Sequence, residues 1–150
     1  MEFKRKIRLG LDIHGMIDYD PKFFAELSRT LVEAGHEVHI TTGSFITPEI
    51  IKELKDYGME WTHLWSISDH YKNQPDVEMW YDDKGRPWVS DELWNKAKAE
   101  YAREQQLDLL LDDTEVYGKH FSTSFGLCKI QNKSGKIKGA KAIMPDKPKK

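Results

Sequence analysis

Short apolar runs alternate with helix-length amphipathic segments along this chain, and no other feature limits its fold as strongly. Ile7–Asp12 reads as a buried strand, with Ile7, Leu9 and Leu11 alternating with Arg8 and Gly10 before Gly15 permits a turn. Asp20-Pro21 starts a helix, with Asp20 as N-cap, and Gly35 ends it. His36–Ser44 is a second strand that runs into a small polar turn. Thr47-Pro48 opens a second helix that closes before Gly58, and Glu60–Ile67 is a third strand. After a less regular stretch, Ser90 caps a helix running to about Gln105, and Leu107–Asp113 (LDLLLDD) is an apolar strand ending in two aspartates. A last short strand is expected at Lys119–Phe125, then a hairpin near 132–135 or a loose extension. Strands that alternate with helices imply crossover connections and a mostly parallel sheet covered on both faces. The expected fold is therefore α/β, a Rossmann-like three-layer sandwich over 1–125, with a small hairpin insert at about 67–89 and a C-terminal extension over 126–150.

Composition narrows the class. At 150 residues the chain is long enough for one domain that buries roughly two-thirds of its unfolded surface. No apolar run approaches the ~20 residues needed to span a bilayer, and the basic N-terminus has no apolar core behind it. No membrane partner is expected, and the expected location is cytoplasmic. The single cysteine, Cys128, excludes an internal disulfide and a Cys-based zinc cluster. His63, His70 and His120 lack ligand-like spacing, and His39 reads as a packed core or sheet-face residue. The Lys-rich end, PDKPKK, suits a solvated terminus better than a nucleic-acid arm, since the formal net charge is only -2.

Ligands of open parallel sheets sit at the carboxyl ends of the strands. Three strands here end in polar or acidic residues, Asp12, Thr41-Thr42 and Asp112-Asp113, and they can converge on one mouth. Carboxylates from two strand ends, with a hydroxyl and an amine nearby, suit phosphate chemistry. Two or three of them can hold Mg²⁺, a hard ion that prefers oxygen ligands. An ionised aspartate can attack phosphorus, while Lys and Thr stabilise the transferring charge.

These stretches resemble the motifs of the haloacid dehalogenase-like superfamily of phosphohydrolases. LGLDIHGMI resembles the first motif, an apolar strand followed by Asp-x-Asp-Gly. HITTGS resembles the second, and LDLLLDDTEVY the fourth. The third, a Lys on the preceding helix, is offered by Lys98 or Lys96 in WNKAKAEYAREQQLDLLLDD, with Lys98 preferred. The resemblance implies a Mg²⁺-dependent phosphatase in which Asp12 is nucleophile and metal ligand. It also implies that Thr42, with the Gly43 backbone, binds the transferring phosphate, Thr41 being the neighbouring alternative. Lys98 pairs with Asp12 and the phosphate, and Asp112 and Asp113 hold the metal, Asp113 as the inner ligand.

The departure lies at His14, which stands where the superfamily has its acidic general acid–base. The metal takes the backbone carbonyl there, so the histidine leaves that contact intact. Proton transfer instead falls to an imidazole, which is competent near neutral pH and is worth about 10²–10⁴ in rate. The alternative is a catalytically weak or inactive module that binds a phosphate-containing ligand.

All five tryptophans lie in the middle third of the chain. The tight turn Asp83-Lys84-Gly85 lies between aromatic runs, where Trp80, Tyr81 and Arg86 are candidates for stacking on a base or gripping a phosphate. The short insert leaves an open site, which admits a nucleotide, a nucleic-acid end, a phosphoprotein or another phosphomonoester.

Overall fold

The computed structural model describes residues 5–130. The feature expected near 132–135 and the Lys-rich tail lie outside the described residues. In chain order the elements are β1 (Arg8–Asp12), a wide helical turn (Ile13–Ile17), α1 (Pro21–Glu33), β2 (Glu37–Thr42), α2 (Pro48–Asp56), β3 (His63–Ser66) and α3 (Ile67–Lys72). There follow β4 (Trp80–Tyr81), β5 (Pro87–Trp88), α4 (Asp91–Glu104), β6 (Leu109–Asp112), a 3-10 turn (Glu115–His120) and β7 (Phe125–Leu127).

Five strands form one parallel sheet in the order β3-β2-β1-β6-β7. Strand alternation divides its side chains between two helical layers. On one face Leu9, Leu11, Val38 and Ile40 pack with Phe24 and Ala25 of α1 and Leu54 of α2. On the other, Leu110 packs with Tyr101 and Ala102 of α4, and Ile67 and Tyr71 of α3 join Val89 and Ala97. The result is the expected Rossmann-like three-layer α/β sandwich. Gly10 opens the second face to close packing: a Cβ there would lie 2.9 Å from Leu110 Cγ.

The helix starts follow local chemistry. Asp20, Thr47 and Ser90 each accept a hydrogen bond from a backbone N–H of the first turn, and Pro21 and Pro48 occupy the first helical positions. Among the described residues no helix is long and apolar enough to cross a membrane.

Two segments differ from expectation. The stretch after β3 is not irregular throughout, since Ser66 accepts from Asp69 N–H and starts α3, with Ile67 and Tyr71 buried four residues apart. The strand expected at Lys119–Phe125 is displaced to Phe125–Leu127, and a 3-10 turn takes up Lys119 and His120. A bend at Ser122 and Thr123 brings the rings of Phe121 and Phe125 to 4.8 Å.

The small antiparallel pair β4–β5 turns through Gly85, whose φ of 74° is a left-handed conformation that glycine adopts freely. Asp82 holds that turn. Its carboxylate accepts from Lys84 N–H (2.9 Å), Arg86 N–H (2.8 Å), Arg86 Nε (2.6 Å) and Trp88 Nε1 (3.1 Å). Desolvation works to raise this carboxyl, but the donors outweigh it and bring it to about 2. Because the folded value is depressed, its stabilising contribution is full above the ordinary value of 3.8 and is lost as pH falls through about 2. Tryptophan emission is expected to report loosening of the hairpin within that window. In Asp82→Asn the acid transition should vanish and the hairpin should already be loose at neutral pH; a wild-type acid transition in that variant rules Asp82 out as its source.

Candidate active site

Parallel pairing brings the strand ends together in register. Asp12 pairs with Thr41 across β1–β2, and Leu11 with Leu111 across β1–β6, so Asp12 and Asp112 end adjacent strands. Alternation places Asp12, Thr41 and Asp112 on the face covered by α4. Lys98, midway along that helix, extends into the gap. Its Nζ donates to Asp12 Oδ1 at 2.9 Å and to Asp112 Oδ2 at 2.5 Å. The three residues are almost removed from solvent, at 6% (Asp12), 2% (Lys98) and 0% (Asp112) exposure, so the charges depend on one another rather than on water.

Burial drives the Asp12 carboxyl up, Lys98 opposes it, and Asp112 and Asp113 push it further, leaving it at about 7. Burial acts to lower the Lys98 ammonium, but Asp112 and Asp12 outweigh it and hold it well above the ordinary lysine range. Three carboxylates, from Asp12, Asp112 and Asp113, each offer an oxygen within 4.8 Å of the others. An all-oxygen donor set of this charge fits a hard divalent cation. Such an ion would also favour ionised Asp12, inverting the local electrostatics.

Of the two lysines the sequence leaves open, Lys98 reaches the carboxylates, whereas Lys96 pairs with Glu100 at 3.6 Å. The two threonines also separate. Thr42 Oγ1 accepts from Ser44 N–H at 3.3 Å, while Thr41 Oγ1 is buried on the Asp12 face with no hydrogen-bond partner among the described residues. Asp112 commits Oδ1 to Thr114 N–H at 2.9 Å as well as Oδ2 to Lys98. Asp113 is half-buried and accepts a long bond from Thr114 Oγ1 (3.5 Å).

His14 lies half-buried in the turn that follows β1, and the left-handed Gly15 (φ 90°) makes that turn possible. Gly15 N–H donates to Asp18 Oδ1 at 2.7 Å, which fixes the loop beside Asp12. Arg86, the candidate phosphate grip on the hairpin, is tied to Asp82 and lies over the Trp88 ring. Of the neighbouring aromatics, Tyr81 is exposed and Trp80 half-buried.

Two site residues carry no signal in the sequence. Tyr117, in the 3-10 turn after β6, places its ring centroid 5.5 Å from Lys98 Nζ. Trp94, one helical turn before Lys98, donates from Nε1 to Tyr117 Oη at 2.8 Å, and its ring covers Gly43, where a Cβ would lie 2.7 Å from Trp94 Cζ2.

A second polar cluster, Glu37, His39 and His63, lies elsewhere on the sheet. His39 is fully buried and uses both ring nitrogens, Nδ1 with Tyr101 Oη (2.7 Å) and Nε2 with Glu37 Oε1 (2.8 Å). Its ring stacks on His63 with centroids 4.0 Å apart and planes 1° from parallel. One ion cannot lie in both ring planes, so this arrangement packs β2 against β3 and α4 rather than presenting a metal site.

The fold and site together define an α/β sandwich with a lysine-bridged carboxylate centre at the carboxyl edge of its sheet. The chain matches no family model and no curated protein.

Proposed function

We propose that this protein is a Mg²⁺-dependent phosphohydrolase that cleaves phosphomonoesters through an aspartyl-phosphate on Asp12. The observation that carries the reading is Lys98, a buried cation held between Asp12 and Asp112 at the carboxyl end of a parallel sheet. Asp12, Asp113 and Asp112 are the carboxylates that would hold the cation, and the His14 backbone carbonyl would join them. Asp113 is the expected direct ligand, since Asp112 is fully buried and its Oδ2 accepts from the Lys98 ammonium at 2.5 Å. When bound, Mg²⁺ supplies positive charge that favours ionised Asp12 and offsets the charge of the incoming phosphate.

An oxygen of Asp12 attacks phosphorus and the ester P–O bond breaks. The departing alkoxide takes its proton from the imidazolium form of His14. His14, now neutral, accepts a proton from water, whose oxygen attacks the same phosphorus. The bond to Asp12 breaks, inorganic phosphate leaves, and Asp12 and protonated His14 are restored. Lys98 keeps the Asp12 oxygen oriented and offsets charge on the phosphoryl group. The Thr41 hydroxyl, buried and unpartnered among the described residues, is the closer fit to a phosphoryl oxygen than Thr42; the Gly43 backbone is its expected companion. Arg86, already bound to Asp82, belongs to the hairpin rather than to this step. The substrate class is a nucleotide, a nucleic-acid end or another phosphomonoester.

The test is phosphate release from a panel of nucleotides, sugar phosphates and phosphorylated oligonucleotide ends, with and without Mg²⁺. His14→Ala is expected to lower kcat by about 10²–10⁴, the usual worth of general acid–base transfer. No turnover across the panel, combined with measurable Mg²⁺-dependent phosphate binding, would make the site a phosphate-binding module instead.

A further inference from the structure

We infer that Tyr117 is a positioning residue for Lys98, and that Trp94 holds it in place. This inference rests on the phosphohydrolase reading for its kinetic consequence but not for its geometry. A lysine ammonium has three donors. Two are spent on Asp12 and Asp112, and the ring of Tyr117 lies against the same ammonium, its centroid 5.5 Å from Nζ. That distance lies within the range of a cation–π contact, which is strongest when desolvated, and Lys98 and Tyr117 are both buried.

A π face suits this place better than a third carboxylate or a water. It attracts the ammonium without competing for its proton or adding another full negative charge. The ammonium therefore stays directed at Asp12 and Asp112. The ring is held in turn: Tyr117 Oη accepts the Trp94 indole N–H at 2.8 Å. Trp94 is seated against Gly43, where any side chain would collide with its ring. Trp94 and Lys98 stand four residues apart on α4 and so share one face of the helix. The contacts thus run without a break from the turn after β2, through Trp94 and Tyr117, to Lys98.

The test compares Tyr117→Phe, Tyr117→Leu and Trp94→Phe by two readouts. In steady-state kinetics Tyr117→Leu is expected to lower kcat about tenfold or more with KM within about twofold, because Lys98 acts on the reacting group rather than on binding alone. Tyr117→Phe and Trp94→Phe, which each keep an aromatic ring but lose the Nε1–Oη hydrogen bond that holds it, should each give a kcat between those of wild type and Tyr117→Leu. The second readout needs no turnover. By NMR the Lys98 side-chain protons should be displaced upfield by the aromatic ring in wild type and Tyr117→Phe, and return toward ordinary lysine positions in Tyr117→Leu. Equal losses in Tyr117→Phe and Tyr117→Leu, or no ring-dependent shift at Lys98, would overturn the assignment. If wild type releases no phosphate while the ring shift is present, the phosphohydrolase reading fails and the Lys98–Tyr117 contact stands.

Discussion

Asp12→Asn is expected to abolish phosphate release, lowering kcat by at least about 10⁴, while leaving the protein folded. Asn has nearly the shape of Asp but cannot attack phosphorus or carry the charge that a metal requires, and loss of a covalent nucleophile is among the most costly changes an active site can suffer. Lys98 keeps Asp112 as its partner at 2.5 Å, so the buried ammonium is not left without an anion. The substitution also removes a carboxyl whose ionisation is disfavoured by burial, so thermal stability above neutral pH should be equal to wild type or higher. Paired kinetic and thermal measurements check both halves. An Asp12→Asn protein that still turns over within tenfold of wild type excludes an aspartyl-phosphate at this position.

The contrast between lost activity and kept stability arises from parts of the chain that differ in legibility. β1 and β6 were readable because each is an apolar run that stops at a charge, and a buried parallel strand ending at the sheet's edge has that pattern. The helix starts at Asp20, Thr47 and Ser90 were readable because capping is local chemistry. The choice between Lys98 and Lys96 was not settled by spacing. It depends on helical phase: Lys98 falls on the buried face with Ala97, Tyr101 and Ala102, and Lys96 on the side of Glu100. Thr41 against Thr42 depends on strand register, since only pairing with Asp12 shows which hydroxyl shares its face.

Other parts depend on tertiary contacts that no local pattern encodes. α3 is six residues long and shows its apolar side through Ile67 and Tyr71, whose burial comes from Val89 and Ala97 arriving much later in the chain. β7 is three residues with a glycine at its centre, where Gly126 leaves room for Leu111, whose Cδ2 lies 2.5 Å from the position of a Cβ. Tyr117 lies in a 3-10 turn without periodicity, so its ring beside Lys98 leaves no sequence signature. The site was legible in its charged residues and hidden in the aromatic ones that hold them.

The charged centre also carries the largest expected effect on stability. Lys98→Met keeps much of the side chain's volume but leaves Asp12 and Asp112 buried without their cation, and removing one partner of a buried pair costs about 3–5 kcal/mol. For a chain of this size that corresponds to a fall in Tm on the order of 10 °C. The loss should depend on pH in a defined direction. In the metal-free wild type the Asp12 carboxyl is already raised from 3.8 to about 7, so its contribution to stability is full below pH 3.8 and is lost as pH rises through 7. Without Lys98 the Asp12 carboxyl rises further, and it protonates more readily in the folded state. Lys98→Met should therefore be destabilised most at pH 8 and much less at pH 5, where protons replace the missing cation. Saturating Mg²⁺ should recover part of the loss at pH 8, because a cation among Asp12, Asp112 and Asp113 answers the same negative charge. Unfolding measured at both pH values, with and without Mg²⁺, tests each step. A deficit equal at pH 5 and pH 8 would mean that the lysine contributes packing rather than charge.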